Sequence, residues 1–209
     1  MNFINDFSVV GKIQSIRHDA NKTTITISTT TPTSAGKIVD VRMLYKGKLD
    51  EAEYQRGAVV GIRGYIDTFF YRGEEGQKPK QRFVISDITA DPPSIIERSF
   101  GEGFRGRIKV PYSQNVRLAG QVVYKRDDRD WIRYTIKTEA DGKPNTVTLS
   151  FQKPNTAVAD AGYIFIPDKD DYVCCVCSIQ TGFKKLSNGQ NVEYDDVYIM
   201  DILKVENVA

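Results

Sequence analysis

Along most of this chain apolar and polar residues alternate one by one. Val9, Gly11 and Ile13 take every second position; so do Ile25 and Ile27, Val41, Met43 and Tyr45, Val60, Ile62 and Ile66, and Phe83 and Ile85. A second set follows: Val116, Leu118, Gly120 and Val122, then Tyr134 and Ile136, Val147, Leu149 and Phe151, Val173, Cys175, Cys177 and Ile179, and Val197 and Ile199. A period of two marks a strand with one buried face. Turn-forming residues separate these runs: Asp19-Ala20-Asn21-Lys22, Ser34-Ala35-Gly36, Gly73-Glu74-Glu75-Gly76, Asp141-Gly142 and Ser187-Asn188-Gly189-Gln190.

The second set repeats the first. Gly11 and Gly120 are 109 residues apart, and the same offset carries Ile25 onto Tyr134 and Ile27 onto Ile136. Val41-x-Met43-x-Tyr45 returns as Val147-x-Leu149-x-Phe151, and Val60-x-Ile62-x-Gly64-x-Ile66-x-Thr68 as Val173-x-Cys175-x-Cys177-x-Ile179-x-Thr181. Phe83-x-Ile85-x-Asp87-Ile88 returns as Val197-x-Ile199-x-Asp201-Ile202. Five blocks in one order predict two related domains, residues 1–90 and 115–209. Between the third and fourth strands of each, short helices are expected at Leu49–Tyr54 and Asn155–Ala159. Five strands with a helix in that place is the element order of the OB-fold. The expected class is therefore all-β: two tandem five-stranded OB-fold barrels, each with a short helix between strands 3 and 4. Gly11 and Gly120 suit a first strand that bends to serve both sides of a barrel. Residues 91–114, bracketed by Pro92-Pro93 and Pro111, read as a linker. Phe100, Phe104, Arg105, Arg107 and Lys109 suit it to dock on a barrel or to follow a bound strand.

Composition narrows the function more than the fold. A net charge of +2 on 209 residues neither demands nor excludes a polyanion, so the placement of charge decides. No run of about 18 apolar residues predicts a membrane span. Met1-Asn2-Phe3-Ile4 opens no secretory signal, so the cytoplasm is the expected compartment. Cys174, Cys175 and Cys177 lack paired C-x-x-C spacing and a nearby histidine, the only one being His18. No metal is expected, and Cys175 and Cys177 read as small core residues. No nucleotide or hydrolase signature is present. Asp127, Asp128 and Asp130, and Asp195 with Asp196, read as turn residues rather than metal ligands. The chain is expected to be no enzyme and to need no cofactor.

Element order, the opening Val9-x-Gly11-x-Ile13 and a long hairpin between strands 4 and 5 resemble bacterial, phage and plasmid single-stranded DNA-binding proteins of the tandem OB-fold type. The resemblance implies a protein that coats single-stranded DNA in replication, recombination or transfer, as a homodimer carrying four barrels. Typical bacterial members carry an acidic tail that recruits replication proteins. Here Val205–Ala209 directly follows the last strand, which points to a mobile-element or phage version without that tail. A protein-interaction module and an RNA-binding protein stay open as alternatives.

Binding single strands without sequence preference takes cations along the backbone and aromatic faces for the bases. In the second unit Trp131, Arg133 and Lys137 share the face opposite Ile132, Tyr134 and Ile136. Trp131, the only tryptophan, either stacks on a base or caps the core. In the first unit Arg63, Tyr65, Phe69 and Tyr71 fall opposite Ile62 and Ile66, and Arg72, Lys78, Lys80 and Arg82 continue along the hairpin. These aromatics meet either bases or a second subunit. Arg42 and Lys46 add cations on the third strand. The second hairpin keeps Phe183, Lys184 and Lys185 but has fewer aromatics beside them, so unequal contributions from the two units are expected.

Overall fold

A computed structural model describes residues 3–32, 37–73, 76–90, 113–154, 165–185, 189 and 191–205. Ten strands account for most of them: β1 (Ile4–Asp19), β2 (Lys22–Thr30), β3 (Ile38–Tyr45), β4 (Val59–Gly73), β5 (Gly76–Thr89), β6 (Ser113–Asp127), β7 (Trp131–Ala140), β8 (Lys143–Gln152), β9 (Tyr172–Lys185) and β10 (Asn191–Lys204). β1 pairs with both β2 and β4, β2 with β3, β4 with β5, and β3 with β5 in parallel, so the first five strands close on themselves. β6 to β10 close in the same way, with β8 and β10 as the parallel pair.

The all-β character is as expected; the short helix at Leu49–Tyr54 is not, and no helix occurs among the described residues. Leu49–Tyr54 forms a single hydrogen-bonded turn, in which Asp50 O accepts from Glu53 N at 3.2 Å and from Tyr54 N at 2.9 Å. Helix nucleation is costly and needs further turns to offset it. Here Gly57, at φ 95°, redirects the chain so that its N–H reaches Ile13 O at 2.8 Å. Leu49 and Tyr54 still anchor the turn in the core. Asn155–Ala159 lies outside the described residues, as do residues 91–112 of the expected linker; Ser113 and Gln114 already belong to β6.

The two closed sets are joined by strand pairing. β1 and β6 pair antiparallel from Ile4↔Ala119 to Val10↔Ser113, which makes all ten strands one continuous hydrogen-bonded sheet. The register is two-fold: Phe7 pairs with Val116, the residue it matches at the offset of 109. Strand irregularities also fall at matching places, between Ile13 and Ser15 and between Val122 and Tyr124. The cores exchange volume while keeping the pairing. Phe7 faces Gly64 across β1 and β4, whereas Val116 faces Cys177 across β6 and β9. A Cβ on Gly64 would lie 2.5 Å from the Phe7 ring, so the large and small partners are coupled. Cys175 and Cys177 are fully buried, as the alternation predicts, and burial raises the Cys177 thiol pKa.

Candidate nucleic-acid interface

β7 alternates cleanly: Ile132, Tyr134, Ile136 and Thr138 are buried, while Trp131, Arg133 and Lys137 face out. The register then decides what stands beside them. Trp131 pairs with Gln152 and Arg133 with Ser150 on β8, and Ser150 meets Tyr198 on β10. This brings Trp131, Arg133, Ser150, Lys184, Val192, Tyr194, Asp196 and Tyr198 around one open groove of about 470 Å³. The indole, 36% exposed, meets the Tyr198 ring edge-on, with centroids 5.7 Å apart and planes at 60°.

The tyrosines are held in place. Tyr198 Oη donates to Asp196 Oδ2 at 2.8 Å and accepts from Gln180 Nε2 at 3.3 Å. Burial, reinforced by the Asp196 carboxylate, raises the Tyr198 phenol above its ordinary range, so it stays a neutral donor. Tyr194 pairs with Gly182, and a Cβ there would lie 2.7 Å from Tyr194 Cζ. The missing side chain therefore lets the ring lie across β9. The groove carries two cations, Arg133 and Lys184, and one carboxylate, already engaged by Tyr198. Such a surface offers π faces beside positive charge.

Lys137 shares the strand face but does not line the groove; it stands opposite Thr146 and Gln121. Phe183 and Lys185 are exposed on the hairpin beside Lys184. Tyr194, Tyr198 and Val192 were not among the expected residues. The aromatics missing beside Phe183 on β9 are supplied by the returning strand β10. The signal was Tyr194-x-Asp196-x-Tyr198, polar and aromatic residues on the face opposite Val197 and Ile199.

In the first half the expected surface is divided. The Arg82 guanidinium lies 4.7 Å from the Phe69 ring centroid and grips Asp67 Oδ2 through Nε at 2.8 Å and Nη2 at 2.6 Å. Phe69, Lys80, Arg82, Arg42 and Lys22 line a cleft of about 170 Å³ that also reaches Asp195 of the second half. Lys46 donates to Tyr65 Oη at 3.0 Å, a contact that raises the ammonium pKa, and lies 3.7 Å from Asp141. Arg63 stands away from these, in a groove with Asp6, Ser86, Asn115 and Arg117. Phe70 and Tyr71 are exposed near the hairpin end with Arg72; Lys78 pairs with Tyr71 in the ladder. Arg42 is not a free surface cation. Its guanidinium is held by Glu193 and lies 3.8 Å from Asp195.

No protein-family model matches the chain, and no curated protein matches it in sequence. Its fold is similar to that of the wild-type single-stranded DNA binding protein from Thermus aquaticus. The two share 10% identity over 100% of this chain and 96% of that one, with a TM-score of 0.61. A deletion mutant of the same Thermus protein matches equally well, at 10% identity and a TM-score of 0.61 over 100% of this chain and 98% of that one.

Proposed function

We propose that this chain binds single-stranded DNA without sequence preference, through the groove of its second half. The observation that carries this reading is the gathering of Trp131, Tyr194 and Tyr198 with Arg133 and Lys184 around one opening. Every base has a π face, so stacking tolerates any sequence, and cations on either side serve the backbone. The groove lies where OB-folds take oligonucleotides, on the face of the second and third strands beside the hairpin of the last two. The choice of DNA over RNA rests on the single-stranded DNA binding protein that shares the fold. Binding, not turnover, is the activity: the strand is coated and left intact. A homodimer, expected from the family resemblance, sets two such grooves along one strand and raises avidity through effective concentration.

Competition against labelled oligo-dT tests the reading. Unlabelled oligo-dT displaces the label at far lower concentration than duplex DNA does, and oligo-rU falls between or below. Affinity falls as salt rises, with a log–log slope of about −0.7 for each phosphate neutralised. Equal competition by duplex, or an affinity indifferent to salt, contradicts it.

A further inference from the structure

The two halves brace each other with corresponding hairpins, but with different chemistry. From the first half, Thr68 Oγ1 donates to Thr146 O at 2.5 Å, and Gln81 Oε1 accepts from Thr148 N at 2.5 Å. From the second half, Thr181 Oγ1 accepts from Arg42 N at 2.8 Å. In the repeat Thr68 corresponds to Thr181, Gln81 to Asp195 and Thr148 to Arg42. One brace is thus neutral, whereas its counterpart sets Asp195 and Glu193 against a guanidinium.

The two carboxylates are not equivalent. The Asp195 side chain is 2% exposed and accepts from Thr181 Oγ1 at 2.7 Å, so it is fixed from both sides. Glu193 is 29% exposed, and Arg42 is its one ion-pair partner among the described residues. Behind Arg42 lies the cleft with Lys22, Lys80, Arg82 and Phe69, cations and a ring of the same kind as those in the proposed groove.

Resting on the single-strand reading above, we propose that Glu193 is a displaceable latch. A phosphodiester of a bound strand replaces it on Arg42 and recruits the cleft between the halves as a second binding segment. The exchange is of one anion for another and needs no other change in chemistry. Partly exposed ion pairs are weak and screened by salt, while each phosphate contact gains from counterion release, so exchange favours the polyanion. Asp195 and Thr181 keep the hairpin seated when Glu193 swings away.

The test is Glu193→Gln in the full chain, titrated with two oligo-dT lengths. One OB-fold covers about 4–16 nucleotides, so about 8 nucleotides fill the second-half groove and about 30 span both segments. The latch predicts that Glu193→Gln tightens the long oligonucleotide roughly 3- to 10-fold at low salt and the short one by less than about 2-fold. It also predicts that Arg42→Gln weakens the long oligonucleotide, and that Glu193→Gln brings no gain on that background. An equal gain at both lengths, or a gain that survives Arg42→Gln, reduces Glu193 to general charge and overturns the latch. If the wild type binds both lengths and Glu193→Gln changes neither, the latch fails and the groove stands. Should the wild type bind neither length, both fail.

Discussion

Trp131→Ala weakens binding of oligo-dT by about tenfold or more while leaving the protein folded. Stacking on an aromatic face contributes on the order of 1–3 kcal/mol per base, and about 1.4 kcal/mol is tenfold in affinity. The fold tolerates the change because β7 buries Ile132, Tyr134 and Ile136 on its other face. Removing the indole takes one edge-on partner from Tyr198 but leaves its hydrogen bonds to Asp196 and Gln180. A capping role predicts the opposite pair of outcomes, ordinary binding and a melting temperature several degrees lower. Equilibrium binding and a thermal melt on the same sample separate them.

Gly120→Ala is expected to destabilise the protein by about 2–3 kcal/mol, as overpacking a close contact does. A Cβ at Gly120 would lie 2.0 Å from Lys137 O and 2.7 Å from Ile136 Cγ2. Lys137 is paired with Gln121, so its carbonyl cannot retreat without opening the β6–β7 ladder beside the bulge. For a domain of this size the loss corresponds to a fall of roughly 5–10 °C in Tm. Gly61→Ala supplies the contrast, because a Cβ there meets nothing within 4 Å. A Gly120→Ala protein that melts with wild type would show that the first strand of the second half has no need of its close approach.

The strands were legible because strict alternation has only one inexpensive solution, a sheet with one face buried. β2 and β7 bury every second residue along most of their length. The turn at Leu49–Tyr54 reads as a helix in the sequence because its apolar spacing fits a helix as well as a tight turn. Gly57, outside that window, decides between them. Fusion of the halves through β1 and β6 was not legible, since pairing along strand edges leaves no mark on which side chains are apolar. Trp131, Arg133 and Lys184 could be placed on the outward surface from strand parity and hairpin position. Tyr194 and Tyr198 belong to the same surface, but only the register of β9 with β10 and the β8–β10 contact bring them there. The partners of Arg42 were hidden for the same reason. Its strand parity is outward, and outward here means toward Glu193 and Asp195 of the other half.

The most direct test of the groove is the emission of Trp131, the only tryptophan in the chain, as oligo-dT is titrated into the wild-type protein. Stacking on the indole predicts progressive quenching that saturates with binding, reverses on raising salt and fails to develop with duplex DNA at equal concentration. Unchanged emission at a concentration where gel shift shows the oligonucleotide fully bound would contradict the groove and place the strand elsewhere on the protein.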